Sequence, residues 1–150
     1  MNLVDYIVKN RGLQRGDEHH DSFIQFLSGE KILKFLGINP PYLTIGFEVK
    51  VSNSDEDSRK CDLAVFNHEL TIIEAKVIRS QNCKTKKTRI EENNRQLCHD
   101  YSFFNKRKID AGIRLIGAYK FINEEEINFY NLPPCGLSLD DLEILQVPCL

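Results

Sequence analysis

The stretch "LTIIEAKVI", residues 70–78, constrains the fold of this chain more than any other. Ile72, Ile73, Ala75, Val77 and Ile78 place apolar side chains on both faces of an extended segment. That pattern predicts a central β-strand covered on either side. Neither this run nor any other approaches the length of a membrane span. Glu74 and Lys76 interrupt it, and an unpaired carboxylate and ammonium are costly inside a protein.

The acid-x-lysine spacing alone carries no information. With 22 acidic residues among 150, composition produces about two such triplets by chance, and "EVK" at 48–50 is the other. Surroundings separate them. In "YLTIGFEVKVS", Ile45, Phe47, Val49 and Val51 alternate with Glu48 and Lys50. This predicts a half-buried strand whose polar residues form a wet face.

The remaining elements follow from periodicity and punctuation. "LVDYIVK" reads as a short opening helix. Asp17 caps a second helix, with Phe23, Ile24, Leu27, Ile32, Leu33 and Leu36 as its apolar stripe. Ser28-Gly29 divides it and Gly37 ends it. "CDLAVF" and "LTIIEAKVI" are strands joined by a turn over Asn67, His68 and Glu69. Thr88 and Glu91 form a capping box, so a helix is expected there, preceded by the basic loop "NCKTKK". "IRLIGAYKF" and "EINFYNL" are two more strands, and "LDDLEIL" a last helix. A long helix between strands makes a parallel crossover. The expectation is one α/β domain over residues 1–150, with a mixed sheet of about five strands flanked by helices.

The hairpin fixes a register. With a three-residue loop Phe66 faces Leu70, and the same pairing sets Asp62 directly opposite Glu74. Two carboxylates on neighbouring strands suit a hard cation such as Mg²⁺ or Mn²⁺, and the carbonyl of Ala75 adds a third oxygen. A cation held there polarises a phosphoryl oxygen and acidifies a bound water. Lys76 is placed to orient that water or offset charge growing on the phosphate. Lys84, Lys86, Lys87 and Arg89 follow and suit contacts to a polyanionic backbone. From Lys76 to Lys108 the balance is ten basic residues against three acids, within a chain of net charge −2. That asymmetry fits one face meeting a polyanion or a solvated basic helix.

Other chemistries are not suggested. There is no Gly-rich phosphate loop and no Ser-His-Asp or Cys-His pattern. The five cysteines are odd in number and form no CxxC, so reduced thiols and a cytoplasmic location are expected. The opening residues carry no secretory pattern.

"CDLAVFNHELTIIEAKV" resembles the core of the PD-(D/E)xK nuclease superfamily, with Asp62, Glu74 and Lys76 on its motif. Within it, "RGDEHHDSF", "KCDLAV", "IEAKV", "RQLCHDYSFF" and "GIRLIGAYKF" are most similar to archaeal Holliday-junction resolvases, over about residues 15–132. The resemblance implies a restriction-endonuclease-like αβββαβ core and Mg²⁺-dependent hydrolysis of DNA, branched or junction DNA included. It also implies Glu18 as a further metal-binding acid, with Asp17, Asp21 and Glu30 as rivals for that place, and Gln96 as a helix residue touching substrate. Cys61 stands where the family carries proline, and the loop between Glu48 and Asp62 is longer and more acidic than in a compact resolvase. Cutting two strands suits a C2 homodimer. The competing expectation is a nuclease-like module without catalysis that binds nucleic acid or a protein partner.

Overall fold

Asn2 starts the first helix, α1 (Leu3–Asn10), its side chain accepting the Asp5 N–H at 3.1 Å. The same device starts α2 (Glu18–Leu27), where Asp17 accepts the His19 N–H at 2.8 Å. Ser28 and Gly29 interrupt the chain before α3 (Glu30–Phe35), and Gly37, at φ 80°, turns it away. The computed structural model describes residues 1–12, 17–53 and 59–133. The last helix expected over 139–145 lies outside them.

Five strands form one sheet in the order β1-β2-β3-β4-β5: β1 Thr44–Lys50, β2 Lys60–Phe66, β3 Leu70–Ile78, β4 Ile113–Phe121 and β5 Asn128–Leu132. Neighbours are antiparallel except β3 and β4, which run parallel. The helix α4 (Cys83–Asn105) makes the crossover between them. The protein therefore has the mixed α/β architecture that its element order predicts.

The start of α4 corrects one expectation. Asn82, not Thr88, is the cap, accepting from the N–H groups of Lys84 at 2.9 Å and Thr85 at 3.4 Å. Asparagine outranks threonine as a cap, and the lysines that follow are good helix formers. Lys84, Lys86, Lys87 and Arg89 thus belong to a helix and not to a loop.

Helices cover both faces of the sheet. Ile7 of α1 and Ile90, Leu97 and Phe104 of α4 pack with Ile72, Ile78 and Leu115. Phe23, Ile24 and Leu27 of α2 and Leu33 of α3 pack with Ile73, Ala75, Ile116 and Ala118. In β3 and β4 alternate residues serve alternate cores. In β1 and β2 the alternation changes phase. Leu63 and Phe47 meet the α2 core, whereas Cys61 and Val49 meet the α4 core. The switch falls at Glu48, held at φ 49°, and at Asp62 opposite it.

No helix among the described residues is long and apolar enough to cross a membrane. Cys83 and Cys98, far apart along α4, each take part in a disulfide bond, and Cys61 is free and buried. This corrects the expectation of reduced thiols throughout, because an odd count leaves one thiol over without constraining the rest.

Gly117 lies beside Glu74 in β4, and the Tyr130 ring lies over it. A Cβ at 117 would stand 2.0 Å from Tyr130 Cζ. Gly117→Ala should therefore destabilise the protein by about 1–3 kcal/mol through overpacking. An unchanged urea midpoint would contradict this placement of Tyr130.

Candidate functional site

The β2–β3 ladder runs from Phe66↔Leu70 to Leu63↔Ile73, the register that the hairpin loop predicts. The next opposed residues are Asp62 and Glu74, and there side chains replace the ladder. Glu74 Oε1 accepts the Asp62 N–H at 3.2 Å, and Asp62 Oδ2 accepts the Ala75 N–H at 2.9 Å. The strands part around two carboxyl groups, each satisfying a backbone donor of the other strand.

The two acids then face different helices. Asp62 looks toward α2, where His20 Nε2 lies 3.4 Å from its Oδ2. Asp21 follows, its Oδ1 3.6 Å from His20 Nδ1. Glu74 is 3% exposed and hydrogen-bonds to Asp100 of α4, which is fully buried. Gln96 Nε2 donates to Asp100 Oδ1 at 3.3 Å and to the Lys60 carbonyl at 3.2 Å. Asn93 donates to the Glu74 carbonyl at 3.1 Å and to the Tyr130 hydroxyl at 2.9 Å.

The expected residues are thus partly brought together. Asp62, Glu74 and Ala75 meet at the fork. Lys76 is half-buried, paired with Tyr119 in the sheet, and contacts neither carboxyl group among the described residues. Glu18 is exposed in the first turn of α2 and joins none of these contacts; His20 and Asp21 reach the fork instead. Gln96 touches Asp100. Of the basic residues, Lys84 and Lys87 are exposed, Lys86 lies 5.4 Å from the Phe121 ring centroid, and Arg89 pairs with Glu92 at 2.9 Å.

Glu48 corrects the reading of the second acid-x-lysine triplet. Its left-handed backbone ends the alternation, so Val49 and Val51 turn to the other core. Glu48 is half-buried rather than on a wet face. Its carboxylate, Asp21 and His20 offer ligand atoms within 4.8 Å of one another, the one such His, Cys, Asp or Glu group among the described residues. Hydropathy could not reveal this. A signal for Asp100 did exist: Asn93, Gln96 and Asp100 recur at helical spacing beside Ile90, Leu97 and Phe104.

The electrostatics follow from crowding. Burial, then Asp62 and Asp100, push the Glu74 carboxyl well above its ordinary range. Burial also raises Asp100, to about 7. Burial and then Asp62 raise Glu48. The hydrogen bond to Asp62 is the main cause that raises His20. Carboxyl groups outnumber cations here, which invites protons or a metal ion. No family model, curated protein or solved structure matches the chain.

Two outcomes are expected. Asp62→Ala strands the Ala75 N–H and should cost about 1–3 kcal/mol, whereas Asp62→Asn keeps an acceptor and should cost less. Equal urea midpoints would contradict this. His20, Glu74 and Asp100 hold protons more tightly folded than unfolded. The stability they confer is present at low pH and is lost as pH rises toward the folded values, through about 7 for Asp100. Metal-free protein should melt at lower temperature at pH 8 than at about pH 5. Asp100→Asn should flatten that slope, and an unaltered slope would contradict the assignment.

Proposed function

We propose that the chain is a metal-dependent nuclease that hydrolyses phosphodiester bonds in DNA, with branched or junction DNA as the substrate the resemblance favours. The observation that carries this reading is the parting of β2 and β3 around Asp62 and Glu74. The residues present fit a hard divalent ion: the carboxyl groups of Asp62 and Glu74 meet at the fork, and His20, Asp21 and Glu48 group their ligand atoms beside it.

Asp62 and Glu74, with the carbonyl of Ala75, would hold Mg²⁺ or Mn²⁺, and His20, Asp21 and Glu48 offer donors beside them. The ion supplies charge to a phosphoryl oxygen and acidifies a water. Lys76 stands two residues after Glu74 on the same strand, as a cation for the attacking water or the developing phosphate charge. Exposed Lys84 and Lys87 on the first turns of α4 suit backbone phosphates, and Gln96 adds a donor near Asp100. The enzyme is read as a C2 homodimer that cuts two strands. It is assigned to the cytoplasm, where the bonds at Cys83 and Cys98 would stand open.

Cleavage of a panel of junction, flap, duplex and single-stranded DNA should require Mg²⁺ or Mn²⁺. Asp62→Asn, Glu74→Gln and Lys76→Ala should each lower the rate by about 100-fold or more while the circular dichroism spectrum is retained. Full activity in Glu74→Gln would overturn the reading.

A second reading is a nuclease-like module that binds nucleic acid or a protein without catalysis. It is favoured by Glu74 lying shut against Asp100 while Lys76 contacts neither carboxyl group. DNA binding without any calorimetric heat from Mg²⁺ or Mn²⁺ would select it.

A further inference from the structure

Cys83 and Cys98 are each disulfide-bonded, and the bond is not between them. Both belong to α4, fifteen residues apart, a rise of about 22 Å. A disulfide holds its Cα atoms within about 7 Å. The chain has five cysteines, and Cys61 is free. The partners are therefore Cys135 and Cys149, which follow β5 beyond the described residues.

Reach decides which pairs with which. β5 ends at Leu132, opposite Leu115 near the start of β4. The first turns of α4 sit at the far end of β4, where Lys86 lies 5.4 Å from the Phe121 ring centroid. From Leu115 to Phe121 the strand runs about 20 Å. Cys135 follows Leu132 by three residues, which reach about 10 Å. It is thus confined to the near end of β4. There Tyr101 of α4 lines a cavity with Ile113, and Cys98 lies one turn before Tyr101. The pairs are Cys98–Cys135 and Cys83–Cys149. Fourteen residues separate Cys135 from Cys149, and even a helix of that length spans about 21 Å.

The anchors flank the basic start of α4. Cys83, Lys87 and Cys98 fall on one side of the helix, and Lys84 adjoins Cys83. Between Cys135 and Cys149 the sequence carries Asp140, Asp141 and Glu143 and no lysine or arginine.

We propose that residues 134–150 form a redox-opened strap along α4, pinned by both bonds, whose acids screen Lys84 and Lys87 from a polyanion. Its effect on DNA rests on the nuclease reading above; the strap itself does not. Water reaches both lysines in the closed form, so the strap acts through charge and not through burial. It opens by exchange with a small dithiol. The two sulfurs of the dithiol give two electrons and two protons to each bond. Two protein thiols form, and the reductant becomes a cyclic disulfide.

The full chain is digested without reductant by trypsin and by a protease that cuts after acidic residues, which separates Cys135 from Cys149. Mass spectrometry should find Cys98 linked to Cys135 and Cys83 linked to Cys149, and neither link after dithiothreitol. Heparin is the polyanion probe, because its retention needs no nuclease site. Reduced wild type should elute from heparin at higher salt than oxidised wild type. Asp140→Asn with Asp141→Asn and Glu143→Gln keeps both bonds and should show no redox shift. A DNA duplex without divalent ion should bind about 10-fold tighter after reduction, a gain that shrinks as salt rises. Swapped links or none would overturn the strap. The expected links with equal heparin retention in both redox states would overturn the screening, and Mg²⁺-dependent cleavage would leave the nuclease reading standing. A heparin shift without any DNA binding would support the strap and overturn the nuclease reading.

Discussion

The exchange of backbone bonds for carboxyl bonds between β2 and β3 is the constraint on which the site depends. A central antiparallel pair ordinarily satisfies its N–H groups through the ladder. Here the ladder reaches Leu63↔Ile73, after which Asp62 and Glu74 each accept the other strand's N–H. The sheet opens without leaving those two donors unsatisfied. The opening admits His20 from α2 on one face and Asp100 from α4 on the other. The left-handed Glu48 makes the same phase change in β1, so both strands turn together.

An arrangement of this kind stores an electrostatic problem. Glu74 and Asp100 are buried against each other, and Asp62, Glu48 and Asp21 stand nearby. Protons answer it at low pH, and under the proposed function a divalent ion would answer it at neutral pH. The tight packing around the fork, with the Tyr130 ring over Gly117 and Asn93 between Tyr130 and Glu74, leaves little room for these groups to relax. On the proposed function, stability and ion binding would be coupled through the same carboxyl groups.

Much of the frame was legible in the sequence because it depends on local rules. The apolar run through Glu74 marked the central strand, the three-residue loop fixed the register, and Asp17 marked a helix start. What escaped depends on backbone choices that hydropathy does not encode. Glu48 looks like any outward residue of an alternating strand until its φ of 49° reverses the alternation. Thr88 and Glu91 form a plausible cap that Asn82 supersedes from upstream. The family resemblance points to Glu18 in α2, whereas the helix turns His20 and Asp21 toward the fork. Asp100 was readable as a polar residue on an apolar stripe, but its contact with Glu74 is tertiary.

The central claim is that the fork between Asp62 and Glu74 is a cation site. Anomalous diffraction from crystals grown with Mn²⁺ tests it most directly. The account predicts a manganese peak about 2.2 Å from carboxyl oxygens of both residues. A peak confined to His20, Asp21 and Glu48, or none at all, would contradict it.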